Sequence, residues 1–185
     1  MEGTLRILGI SGSIRTGSYN RAALRAARDL APEGMDIEVF DLAPLPMYNG
    51  DLDGPATPAV VQDFQARIRS ADGLLVVTPE YLHSIPGVLK NALDWGSRGG
   101  DNSPLLGKPI AMMGFVTGGS GSRWGQYHLR HICHATNMLP LNRPEIYVTD
   151  VREKFDEAGT LTHEPTRQAI RELLSAFGLW IDRLR

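Results

Sequence analysis

Short apolar runs alternate along this chain with longer stretches in which apolar positions recur every three or four residues. The short runs, Leu5–Ile10, Ile37–Phe40, Gly73–Thr78, Pro109–Val116 and Glu145–Val148, predict strands. Leu74-Leu75-Val76-Val77 is apolar on consecutive positions, the pattern of a strand covered on both faces. The longer stretches predict helices over Tyr19–Leu30, Pro58–Ser70, Pro86–Trp95, Trp124–Thr136 and from about Pro165 to Leu184. In the second of these, Val60, Val61, Phe64 and Ile68 fall at helical spacing and form one buried stripe.

Five strands alternating with five helices predict one α/β domain over residues 1–185, a doubly wound parallel sheet with helices on both faces. Five strands rather than six favour the flavodoxin-like order over the longer dinucleotide-binding arrangement. In such sheets ligands bind beyond the carboxyl ends of the strands, near the point where strand order reverses. The loops beginning at Ser11, Pro79 and Thr117 are therefore the candidate site. Leu42–Pro58, with four prolines and two glycines, is too long for a plain connection. It is expected to lie over the same end of the sheet, offering Met47 and Tyr48 to a planar ligand.

Composition narrows the function classes. At 42% hydrophobic and 22% charged, the 185 residues read as globular. A net charge of −2 without a basic block argues against nucleic acid as a partner. No apolar run approaches the ~20 residues of a membrane span, and Met1–Ile10 is too short and interrupted for a signal peptide. The single cysteine, Cys133, excludes an internal disulfide and a cysteine-based metal cluster, which fits a reducing, cytoplasmic setting. His128, His131 and His134 span too wide a helical arc to be three ligands of one metal.

The first loop carries the strongest chemistry. Ser11-Gly12-Ser13-Ile14-Arg15-Thr16-Gly17-Ser18-Tyr19-Asn20 joins a strand to a helix and brings four hydroxyls, a guanidinium and an amide. Gly12 and Gly17 let backbone N–H groups approach a ligand, and the helix start adds the positive end of a dipole. There is no Gly-Lys-Ser/Thr of a P-loop and no G-x-G-x-x-G. Such a loop suits a phosphate monoester that is held and not cleaved, as in FMN. The third loop, Thr117-Gly118-Gly119-Ser120-Gly121-Ser122, can bring N–H groups to a ring edge where negative charge accumulates on reduction.

Two stretches meet a known pattern. Gly12 to Asn20 resembles the G-S-x-R-x-x-S-x-N loop of the NADPH-dependent FMN reductase family, which includes chromate, quinone and azo-dye reductases. Thr78-Pro79-Glu80-Tyr81 and then Ser84-Ile85-Pro86-Gly87-Val88-Leu89-Lys90-Asn91-Ala92-Leu93-Asp94-Trp95 resembles its T-P-E-Y-N-x-S-I-P-G-x-L-K-N-A-L-D-W. Weaker echoes at Leu45–Asn49, at Gly118-Gly119 with Arg123, and at Phe155–Glu157 extend the likeness over most of the chain.

The resemblance implies that Ser13, Arg15, Ser18 and Asn20 hold the FMN phosphate, with Tyr19 beside the ribityl chain. It implies that Pro79, Glu80, Tyr81 and Leu82 run along the isoalloxazine edge, with His83 close enough to stack or to meet an acceptor. Thr117, Gly118 and Gly119 complete the expected cofactor contacts. Leu82 departs from the family's usual Asn. Reduction by NADPH or NADH and transfer to a quinone, free flavin, azo compound or metal oxyanion follow from the resemblance, by the flavin's own chemistry and without an obligatory protein acid or base. So does a homodimer or homotetramer built on Pro86–Trp95 and the following helix; this helix presents Leu89, Leu93 and Trp95 beside the flavin, or Trp95 is plain core. The rival is a flavodoxin-like electron carrier without its own nucleotide turnover.

Overall fold

The computed structural model describes residues 3–185; Met1 and Glu2, which open the expected domain, lie outside the described residues. Strands β1 (Leu5–Ser11), β2 (Met35–Phe40), β3 (Gly73–Val77) and β4 (Pro109–Phe115) alternate with helices α1 (Tyr19–Asp29), α2 (Ala59–Ser70) and α3 (Gly87–Gly96). Helix α4 (Arg123–Thr136), two short strands β5 (Leu139–Pro140) and β6 (Ile146–Val148), and helix α5 (Glu164–Leu184) follow. The sheet is parallel in the order β2-β1-β3-β4-β5, with β6 also on β4, which is the flavodoxin-like order.

The predicted strand Glu145–Val148 is present as β6, and a second short strand, β5, which was not predicted, precedes it. Leu139–Pro140 pairs with Pro109–Ile110, and Ile146–Val148 pairs with Met113–Phe115 further along the same edge. Pro140 and Pro144 lack the N–H that an unbroken ladder needs, so this edge is interrupted rather than continuous.

The consecutive apolar positions of β3 serve two cores. Leu75 and Val77 join the layer under α1 and α5, with Leu24, Leu173 and Phe177. Leu74 and Val76 join the layer under α2, α3 and α4, with Val61, Phe64 and Leu129. Every residue of β3 is buried. At roughly 1.5–3 kcal/mol for each fully buried large aliphatic side chain, this strand anchors both layers.

Two expectations are corrected here. Leu89, Leu93 and Trp95 of α3 are almost wholly buried in the second core layer and do not border the candidate site. The stripe of α3 that looked like a ligand wall is the face the helix needs to pack on the sheet. Leu42–Pro58, in turn, is not a cover over the sheet end. Leu42 and Leu45 sink into the core beside α3. Asn91 accepts from the Tyr48 N–H at 2.7 Å and donates to the Pro46 carbonyl at 2.9 Å. The Trp95 indole donates to the same carbonyl at 2.8 Å. Tyr48 packs edge-on with Trp95, ring centroids 4.8 Å apart, and the Arg98 guanidinium lies 4.9 Å from the Tyr48 ring centroid. Tyr48 is thus a packing residue, and Met47 is exposed beside it. Proline-rich backbone has few N–H groups for ladders, so side chains of α3 hold the segment instead.

Removing that clamp should loosen the segment without touching the sheet. Asn91→Ala leaves the Tyr48 N–H unpaired, at a cost of about 1–3 kcal/mol. A fall in Tm of roughly 3–10 °C is expected, together with new protease cleavage between residues 47 and 55. Unchanged Tm and an uncut segment would show that the clamp is dispensable.

Candidate functional site

A cleft of about 260 Å³ opens at the carboxyl ends of β1, β3 and β4, where the strand order reverses. Its first wall is the β1–α1 loop, contributing Ser13, Arg15, Ser18, Tyr19 and Asn20. Ser18 caps α1, its hydroxyl accepting from the Arg21 N–H at 3.4 Å. Ser13 and Ser18 are buried, whereas Arg15 is exposed and curls back to donate to the Gly17 carbonyl at 3.2 Å. Among the described residues, the N–H groups of Ile14, Arg15, Thr16 and Gly17 donate to no protein acceptor. Two hydroxyls, a guanidinium and a helix N-terminus therefore stand together on the first wall of the cleft, the arrangement that an anion needs.

Gly12 has another role than the one read from the sequence. Its N–H donates to the Val77 carbonyl at 2.9 Å and so continues the sheet. A Cβ at this position would fall 2.5 Å from the Thr78 hydroxyl oxygen. Glycine is required where the loop crosses the end of β3, not where it meets a ligand.

Asn20 also lines the cleft, but its amide is engaged. It donates to the Phe115 carbonyl at 2.8 Å and accepts from the Phe115 N–H at 3.1 Å. This pair ties the start of α1 to the end of β4 and positions the loop between them.

The second wall is Pro79, Glu80 and Tyr81 after β3. The Glu80 side chain is only 7% exposed. Its carboxylate accepts from the N–H groups of Trp124 at 2.9 Å and Gly125 at 3.2 Å. Ser122, the residue before α4, gives no side-chain cap, so Glu80 caps that helix from a distant loop. Leu82 and His83 lie outside the lining, at the tip of a tight turn.

The third wall comes from β4 and beyond. Thr117 lines the cleft, whereas Gly118 and Gly119 are exposed and stand outside it. Phe115, Val116 and Val151 complete the apolar side, and sequence reasoning missed them. Phe115 and Val116 were legible as the end of the fourth strand. Val151 had no local signal, because it reaches the cleft only through the path of the chain after β6. Tyr19 is steadied from the same segment, its ring centroid 5.2 Å from that of Phe155. No residue of Leu42–Pro58 lines the cleft.

A polar first wall and apolar residues on the others fit a ligand with a phosphate tail and a flat apolar body, as FMN has. Cys133 offers no competing chemistry: burial pushes its thiol up to about 12. Among the described residues no three His, Cys, Asp or Glu side chains converge as metal ligands.

The sequence pattern of the NADPH-dependent FMN reductases matches residues 5–153. The chain belongs to that family. It is 44% identical over 185 residues to an NAD(P)H-dependent FMN reductase of Pseudomonas aeruginosa, covering all of both chains. A 2-hydroxy-1,4-benzoquinone reductase from a Burkholderia species is 38% identical over 177 residues, 96% of each chain. Among solved structures, the FerB flavoenzyme NAD(P)H:(acceptor) oxidoreductase of Paracoccus denitrificans superposes with a TM-score of 0.88 at 30% identity, covering 97% of this chain and 98% of FerB. The family pattern spans all three walls of the cleft and ends just past Val151.

If Asn20 anchors the loop, its loss must register without any ligand. Asn20→Ala should destabilise the apoprotein by about 2–4 kcal/mol, because it leaves both backbone groups of Phe115 unpaired in a buried place. Denaturant unfolding of cofactor-free protein checks this. An unchanged midpoint would restrict Asn20 to ligand contact.

Proposed function

We propose that this protein is an FMN-dependent oxidoreductase that uses NADPH or NADH to reduce a small acceptor, with a quinone as the leading class. The observation that carries the reading is the mixed lining of one cleft: hydroxyls and Arg15 from the β1–α1 loop, and Phe115, Val116, Val151 and Pro79 from the other walls. Bound FMN supplies the redox chemistry, taking hydride from the nicotinamide and giving electrons to the acceptor.

The chain's own residues hold and orient that group. Ser13, Ser18, Arg15 and the N–H groups after Ser13 receive the phosphate, with the α1 dipole behind them. Asn20 acts indirectly, by keeping this loop against β4. Tyr19 would stand beside the ribityl chain, and Pro79, Tyr81 and the apolar wall would border the ring. Glu80 keeps the β3 loop docked on α4. The names of the Burkholderia and Paracoccus relatives support NAD(P)H as donor and a quinone among the acceptors. The buried, lone cysteine suits the cytoplasm.

A homo-oligomer belongs to the same reading. Its surface comes from the outer face of α3 and from α4, where Trp124 and Tyr127 are about half exposed and stand 6.2 Å apart. Sedimentation at micromolar concentration should show a species larger than the 20.3 kDa monomer; a monomer alone would remove this part.

The phosphate assignment is tested by Arg15→Ala, which removes a charge-assisted contact of about 1.5–3 kcal/mol. FMN should bind tenfold or more weakly, and riboflavin, without the phosphate, nearly as before. Equal losses for both would refute the cradle. For the reaction itself, anaerobic NADPH or NADH should bleach bound FMN, and quinone turnover should give parallel double-reciprocal lines. FMN that stays oxidised for minutes under either nucleotide points to an electron carrier instead.

A further inference from the structure

Tyr81 and Ser84 close a two-residue hairpin, the Tyr81 N–H donating to the Ser84 carbonyl at 2.9 Å and the Ser84 N–H to the Tyr81 carbonyl at 3.0 Å. Both central residues are left-handed, Leu82 at φ 50° and His83 at φ 60°. Turns of this kind favour Asn-Gly, because a side chain at positive φ crowds its own backbone. Leucine is a poor choice here on that ground. It is also poor by burial, for Leu82 is 100% exposed and gains no packing within the chain.

The turn cannot swing to relieve either cost. One foot is held by Glu80 on the Trp124 and Gly125 N–H groups, and the other by the Ser84 hydroxyl, 2.5 Å from His128 Nδ1. Tyr81, next to Leu82, lines the cleft and is itself 54% exposed. A rigid turn thus holds an uncovered leucine at the rim of the redox site.

We propose that Leu82 is a specificity-determining residue, the rim contact for apolar substituents of the acceptor. This rests on the quinone-reductase reading above. The covering group is the acceptor's own hydrocarbon: leucine offers only apolar surface, and Tyr81, the residue before it, lines the cleft. Substituted quinones then gain binding from Leu82 that bare benzoquinone cannot.

Two variants separate the side chain from the strain. Leu82→Ala removes the contact and keeps a Cβ at positive φ; Leu82→Asn removes the contact and suits the turn. The full-length, FMN-loaded protein is assayed at saturating NADH with 1,4-benzoquinone and with 2-methyl-1,4-naphthoquinone. In both variants KM for the naphthoquinone should rise about fourfold to tenfold, and KM for benzoquinone should stay within about twofold. Tm should hold in the alanine variant and rise by roughly 2–4 °C in the asparagine variant. Equal shifts for the two quinones, or none, overturn the assignment. So does loss of an oligomer on substitution, which would make Leu82 a subunit contact. Wild-type protein that reduces neither quinone refutes the functional reading itself, and this assignment with it.

Discussion

Asn20 spans the gap between two strands that are not neighbours in the sheet. Its amide closes both hydrogen bonds with the backbone of Phe115, 95 residues away in sequence. In the loop before α1 the N–H groups of Ile14, Arg15, Thr16 and Gly17 donate to no protein acceptor. Such a loop can hold a shape only if something outside it supplies the constraint. Asn20 does so at one end, and the passage of Gly12 against Thr78 does so at the other. Between these two points Ser13, Arg15 and Ser18 are presented to the cleft.

The same division recurs on the opposite wall. Glu80 lies in the expected ligand loop, yet its carboxylate is turned to the first N–H groups of α4. Helix α4 lacks a local cap, and the β3 loop lacks internal support; one carboxylate resolves both. The chain after β6 adds the remaining support, with Val151 filling the cleft wall and Phe155 backing both Tyr19 and Phe115. Residues that look like cofactor ligands by position therefore divide into those whose donors remain available and those that hold the first group in place.

Much of the architecture follows from local patterns. The run of β3 is apolar on successive positions and can only be a strand between two layers. All five helices begin and end within a residue or so of their predicted bounds, because hydrophobic periodicity and the proline and glycine signals around it are properties of neighbouring residues. Strand β6 was legible and β5 was not, since two prolines interrupt that edge. The donor-rich loop was legible as well. Its hydroxyls, Arg15 and glycines are contiguous, and the loop lies where parallel sheets bind ligands.

What the chain's pattern could not reveal was direction. Trp95 and Leu89 have the periodicity of a wall residue and of a core residue alike, and only the packing of α3 on the sheet turned them inward. Tyr48 reads as a free aromatic in a proline-rich segment until Asn91, Trp95 and Arg98, some 45 residues on, take hold of that segment. Asn20 and Glu80 have the chemistry of ligand contacts, and their partners at Phe115 and Trp124 are invisible in the neighbouring sequence. Hydrophobic periodicity acts over a few residues and is written locally. The pairing of a buried polar group depends on which distant backbone atoms remain unsatisfied once the sheet has formed, and that is settled only by the tertiary structure.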